Sequence, residues 1–169
     1  ANELGNLLSR TVSMIGKYRA GRIPSLPTGR SAADSPLAAE ASQTAVGARV
    51  QLEDMDLSGA LETIWTLVRR LNRYVEEQAP WNLAKDQTPA GQAALDATLW
   101  DLAEGLRLLS VLLYPFMPVT AAAIRSRLGL PIPTGEEMPA PSWREAEWGL
   151  LPSGLTVIAA GSLFPRIEE

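Results

Sequence analysis

Residues 61–86 read Leu61-Glu-Thr-Ile-Trp65-Thr-Leu-Val-Arg-Arg-Leu-Asn72-Arg-Tyr-Val-Glu-Glu-Gln-Ala-Pro80-Trp81-Asn-Leu-Ala-Lys85-Asp86, and this stretch decides the fold. With Leu57 just upstream, Leu61, Ile64, Val68, Leu71 and Val75 recur at steps of three and four. That spacing puts them on one face of a helix. Glu62, Thr66, Arg69, Arg73 and Glu76 fall on the other face. Asp56 supplies the N-cap, because its side chain can accept from a free amide of the first turn. The helix runs to Gln78 and stops at Pro80, since the residue before a proline is pushed out of the helical region. Trp81 follows at once. A large aromatic on such a corner is either a plug for the core or a platform on which something flat can stack.

The rest of the chain repeats the helical pattern. Over 2–20, Leu4, Leu8, Val12 and Ile15 form an apolar face, and Asn6, Arg10, Ser13 and Lys17 form a polar row opposite. Gly21 is the expected stop. A loop rich in Pro, Gly and Ser covers 22–35. Ser35-Pro36 then predicts the start of an alanine-rich helix over 36–52, interrupted by Gly47. Thr88-Pro89 opens a further helix to about Tyr114, with Leu95, Leu99, Leu102, Leu106, Leu109 and Leu113 as its seam. Its last turns, 108–113, are apolar nearly all round, which predicts burial on several sides. Pro115 and Pro118 end it, and a shorter helix over 118–129 stops at Gly129. Four prolines make 131–142 irregular, and 155–160 reads as a short strand or an extended strap. The expected fold is all-α and a single domain. An antiparallel helix bundle of about five helices covers about 1–130, with an irregular C-terminal tail, 131–169, packed on it.

Composition narrows the chemistry. The 169 residues are enough for one real core. There is no cysteine and no histidine, which removes disulfides, thiolate metal sites, the commonest zinc ligand and the commonest general base. No phosphate-binding loop, nucleophile elbow or metal-ligand spacing is present. Glu76-Glu77 and Glu136-Glu137 are adjacent pairs, and neighbours on a helix do not face one another. No catalytic residue is therefore assigned, and no metal. The net charge is −4, so the whole domain does not advertise a polyanionic partner. Residues 1–30 nonetheless carry Arg10, Lys17, Arg19, Arg22 and Arg30 against Glu3 alone. No apolar run is long enough for a membrane span. The chain begins without Met and already inside a helical pattern, which reads as a piece of a longer protein.

The binding candidates follow. From burial statistics alone, Trp81 is more often a plug; as a platform it would stack on an unpaired base. Asn6 and Arg10, one turn apart, present an amide and a guanidinium side by side, able to bond the edge of a pyrimidine. Without more, that pair is also an ordinary solvated stripe. Trp65 and Trp100 lie among apolar neighbours and are expected in the core. Trp143 and Trp148 are expected to pin the tail.

The residues Asn2-Glu-Leu-Gly-Asn6-Leu-Leu-Ser-Arg10-Thr resemble the first helix of the anticodon-binding domain of methionyl-tRNA synthetase. The run from Ala60 to Trp65, through Asn72-Arg-Tyr74, to Ala79-Pro80-Trp81-Asn-Leu-Ala-Lys85-Asp86 is similar to that domain's central helix and corner, and Leu163-Phe-Pro-Arg-Ile-Glu168 to its closing tail. The resemblance covers nearly the whole chain and is weakest over 27–52 and 131–150. It implies a domain that recognises the CAU anticodon of methionine tRNA and catalyses nothing alone. The parent would be a cytoplasmic methionine–tRNA ligase that uses ATP and methionine in an upstream catalytic domain; no cofactor is expected here. On matching positions Trp81 would stack on the first anticodon base, and Asn6 and Arg10 would read that cytosine. Arg19, Arg22, Arg69 and Arg73 are candidate phosphate contacts. The rival readings are the same domain from another class I synthetase, and a helical protein-interaction scaffold that binds no RNA.

Overall fold

The computed structural model describes residues 2–133 and 140–164. Six α-helices occur among them: α1 (Asn2–Arg19), α2 (Ala38–Glu53), α3 (Leu57–Gln78), the single turn α4 (Pro80–Leu83), α5 (Pro89–Leu112) and α6 (Pro118–Arg127). The expected caps operate. The Asp56 carboxylate accepts from the Gly59 amide at 2.9 Å, and Thr88 Oγ1 accepts from the Gly91 amide at 3.1 Å. α1 ends through Ala20 and Gly21, both at positive φ, with the Gly21 amide donating back to the Ile15 carbonyl.

The start of α2 differs from expectation by two residues. The Ser35 hydroxyl accepts from the Leu37 amide at 3.2 Å, as a cap would, but the turn it opens is tight, with the Ala38 amide bonding the Ser35 carbonyl at 3.1 Å. α2 therefore begins at Ala38, after Leu37 has inserted fully into the core. Gly47 does not break α2. A Cβ there would lie 3.4 Å from Thr63 Cγ2, so the missing side chain lets α2 and α3 approach closely.

α2 and α3 form an antiparallel hairpin, with Glu40 beside Arg70 and Gln51 beside Thr63. α3 and α5 are also antiparallel, since Tyr74 meets Asp101 and Leu71 lies against Gly105. α1 is the exception and runs parallel to α3: Glu3 meets Trp65, and Arg10 meets Glu76. The chain reverses once before α2 and once after it, which returns α3 to the direction of α1.

α5 is the central element. Every residue from Ala97 to Leu113 is buried, which extends the expected all-round burial back by more than two turns. Three charges go in with it. Asp101 accepts from Arg30 and Tyr74 (2.9 and 2.7 Å), and Glu104 pairs bidentately with Arg107 (2.7 and 2.8 Å). Glu104 Oε1 also accepts from the amides of Gly149 and Leu150, while Arg107 donates to the carbonyls of Glu145 and Glu147. This buried pair is the clasp that holds the tail.

Trp148 pins the tail as expected: it packs edge-on to Trp100 at 6.2 Å and donates to the Ala32 carbonyl. Trp143 sits half-open beside Ala45 and Val46 of α2. Residues 155–160 are an extended strap with one antiparallel bridge, Thr156 to Arg22. Its backbone bonds to Ile23, Gly21 and Arg127. Gly129 has φ +73° and stands so close to the Thr156 carbonyl that a Cβ would come within 2.5 Å. The Glu136-Glu137 pair and the close of the chain after Phe164 lie outside the described residues.

Candidate nucleic-acid interface

The corner after α3 is built by Ala79, which adopts the left-handed region (φ 43°, ψ 65°). Its amide still bonds the Val75 carbonyl at 3.0 Å, so the chain turns sharply without leaving α3 untied. Pro80 then starts α4 and is buried, while Trp81 beside it is 36% exposed. The corner separates two roles that the sequence left open: Pro80 plugs and Trp81 faces outward.

The Arg10 guanidinium lies over the Trp81 ring at 5.9 Å from its centroid, within cation–π reach. The same guanidinium donates to Glu76 Oε1 at 2.7 Å. Asn6 is exposed one turn before Arg10. Together with Glu3, Arg69, Asn72, Arg73 and Glu76 these two line an open groove of about 420 Å³ between α1 and α3. The indole thus stands at one end of a polar groove, linked to it by Arg10.

The register of the groove walls is set by residues to which the sequence reading gave no such role. Trp65 Nε1 donates to the Glu3 carboxylate at 2.9 Å, and Asn72 Nδ2 donates to the Glu3 carbonyl at 3.2 Å. Both bonds tie the first turn of α1 to α3. Trp65 is consequently half-buried at the bundle surface, a correction to its expected place in the core. No local signal marks this role, because the partners are more than sixty residues apart. Behind the corner, burial and the neighbouring Asp101 carboxylate push the Tyr74 phenol upward, so it stays a neutral donor. Burial likewise raises Asp101.

The four candidate phosphate contacts divide. Arg69 and Arg73 are exposed and line the groove. Arg22 is exposed at the strap bridge. Arg19 instead donates to Asp96 and, at 3.0 Å, to Gln92 Oε1. Its charge is spent on bracing the end of α1 against the start of α5.

Fold and site together define a class: a helical bundle that offers an accessible indole, a guanidinium and an amide along one polar groove. No group of metal-binding side chains accompanies them among the described residues, and no described helix is long and apolar enough to cross a membrane.

The chain belongs to the family described as the anticodon binding domain of methionyl tRNA ligase, which it matches over residues 26–169. It is 37% identical over 169 residues to the methionine–tRNA ligase of Streptomyces coelicolor, covering 100% of this chain and 31% of that protein. It is 41% identical over 170 residues to that of Bacillus subtilis, covering 99% and 24%. The crystal structure of apo Mycobacterium tuberculosis methionyl-tRNA synthetase is similar with a TM-score of 0.84 at 32% identity, covering 100% of this chain and 32% of that one. The chain thus spans from 24% to 32% of the length of these relatives. Asn6 and Arg10 precede the family match and fall within these longer alignments.

Proposed function

We propose that this domain reads the CAU anticodon of methionine tRNA for a methionine–tRNA ligase. The observation that carries the proposal is the Arg10 guanidinium over an outward-facing Trp81, at the end of a groove that Asn6 shares. Trp81 stacks on the first anticodon base. Asn6 and Arg10 bond the edge of that cytosine, and Arg22, Arg69 and Arg73 meet the phosphates. The domain contributes recognition only. ATP and methionine are handled in an upstream catalytic domain of the parent chain, in the cytoplasm, and this domain needs no cofactor of its own.

The energetics favour exchange at the site. Docking a base requires Arg10 to move from the ring and to give up Glu76. That ion pair is solvent-exposed, with side chains 31% and 61% accessible, so breaking it costs about 0–1 kcal/mol, and leaving the ring costs about 0.5–1 kcal/mol more. Stacking a base on the freed indole returns roughly 1–3 kcal/mol, before any bond to the base edge is counted. An acidic domain can bind RNA on these terms because a few contacts to splayed bases carry recognition.

The test is binding of a CAU anticodon stem-loop to the wild-type chain and to Trp81→Ala and Arg10→Ala. Each variant should keep its helical circular dichroism and lose on the order of tenfold or more in affinity. Folded variants that bind as tightly as the wild type would refute the assignment.

A further inference from the structure

The two ends of the groove between α1 and α3 are held differently. At the far end, Glu3 ties α1 to α3 through Trp65 and Asn72. At the corner end, among the described residues, one polar bond joins the two helices directly, Arg10 to Glu76, and the proposed docking of a base breaks it. Apolar packing between the helices remains, but it is non-directional and tolerates sliding. A hydrogen bond demands a set distance and angle. The bonds of that kind that survive docking run through α5. On one side, Arg19 at the end of α1 donates to Asp96 and, at 3.0 Å, to Gln92 Oε1. The same Gln92 side chain donates through Nε2 to the Asp86 carbonyl at 2.6 Å. Asp86 is five residues beyond Trp81, so one amide clamps the end of α1 to the segment that carries the indole. On the other side, the Tyr74 hydroxyl donates to Asp101 Oδ2 at 2.7 Å, and both groups are buried. One turn away, a Cβ at Gly105 would stand 2.5 Å from Leu71 Cδ2. Gly105 lets α3 and α5 touch, and Tyr74 fixes where along α5 they do so.

We propose that Gln92 and the Tyr74–Asp101 pair are positioning residues for base recognition, an inference that rests on the anticodon reading above. Through α5 they index both walls of the groove to one helix, and so set where Trp81 stands relative to Arg10 and Asn6. Neither touches the base. A binding constellation tolerates displacements of only about 0.5 Å, so slippage of either wall falls on discrimination of the first anticodon base before it falls on folding. The corner is placed to feel both links. Tyr74 lies five residues before Ala79, whose left-handed turn throws Trp81 outward, and Gln92 holds the chain just after it. The chemistry of Asp101 separates a lost bond from a lost charge. Arg30 and Tyr74 both donate to its Oδ2, while Oδ1 has no partner among the described residues. An amide in its place keeps both bonds, with its nitrogen at the position that has none to lose.

The test pairs a structural readout with a functional one. Indole N–H resonances are recorded by NMR, the Trp81 signal being assigned through Trp81→Phe, and affinities are measured for stem-loops with cytosine or uracil as the first anticodon base. The chains compared are the wild type, Gln92→Leu, Tyr74→Phe, Asp101→Asn and Ile124→Val. Tyr74→Phe keeps the ring and removes only the hydroxyl. Gln92→Leu lies outside the core, so one link can be cut without opening it. Both should shift the Trp81 signal and reduce the cytosine preference severalfold, while Asp101→Asn stays close to the wild type in both. Ile124→Val, a buried loss on α6 that belongs to neither link, should lower the thermal midpoint and move neither readout. An unmoved Trp81 signal in Gln92→Leu and Tyr74→Phe would overturn the proposal. So would a cytosine preference that survives the shift, or an equal change in Ile124→Val, which would make the effect one of stability alone. A shifted signal in a chain that binds no stem-loop upholds the positioning of Trp81 and refutes anticodon reading.

Discussion

The Arg10 guanidinium has two partners in the free chain, the Trp81 ring and the Glu76 carboxylate. Glu76 both parks Arg10 and places a negative charge in a groove proposed to meet RNA. Glu76→Gln keeps an acceptor of similar shape and removes the charge. The variant should bind the CAU stem-loop more tightly, with little change in thermal midpoint, because the exposed pair contributes about 0–1 kcal/mol to folding. Unchanged or weaker binding in a titration would show that Glu76 takes no part in gating Arg10. At this scale the sequence was half legible. The spacing of Asn6 and Arg10 showed that they share a helix face, and Pro80 marked the corner. Whether Trp81 faced in or out depended on the left-handed turn at Ala79, which an alanine does not announce. Glu3 and Asn72 gave no signal, because their bonds join helices far apart in sequence.

The long helices were readable because their apolar periods and caps agree with one another. α3 starts at Asp56 and α5 at Thr88 as their side chains dictate. α2 starts two residues later than its cap suggests, since the turn after Ser35 closes first through the Ala38 amide and the Ser35 carbonyl. The hub that joins the loop before α2 to α3 and α5 was not readable at all: Asp101, Tyr74 and Arg30 look like solvated residues until α5 is found buried on every side. Burial lifts the Asp101 carboxyl above the ordinary carboxylate value, against the pull of Tyr74 and Arg30. The folded chain therefore holds this proton more tightly than the unfolded chain, and ionising Asp101 works against folding. Its contribution is full below the unfolded value of 3.8 and is lost as pH rises through the folded one. Asp101→Asn removes the titration. The stability difference should shift in favour of the variant as pH rises from acid toward neutral, read as urea midpoints across that range. A difference that does not change with pH would contradict the raised value.

On the scale of the whole molecule, an ion pair inside α5 anchors the start of the tail, beside Trp148 and the strap. Glu104 and Arg107 are almost wholly buried and together bond the backbone at 145, 147, 149 and 150. Glu104→Ala leaves the Arg107 charge buried without its carboxylate, and should cost about 3–5 kcal/mol. Limited proteolysis should then cut first within residues 140–164. A variant as stable and as protease-resistant as the wild type would show that Trp148 and the strap hold the tail unaided. The tail matters to the site because it returns to α1 at Phe164, which lies 3.4 Å from where a Gly5 Cβ would stand. Glu3, Arg10 and their partners on α3 hold α1 against α3, and the groove proposed to meet RNA is the gap between them.

The most direct measurement of the central claim varies the first anticodon base. Stem-loops that differ only there are titrated against the wild-type chain and against Asn6→Ala and Arg10→Ala. The account predicts that the wild type binds the cytosine stem-loop well above the uracil, adenine and guanine forms, and that both variants lose most of that preference. A wild-type chain that binds all four alike, or variants that keep the full preference for cytosine, would contradict it.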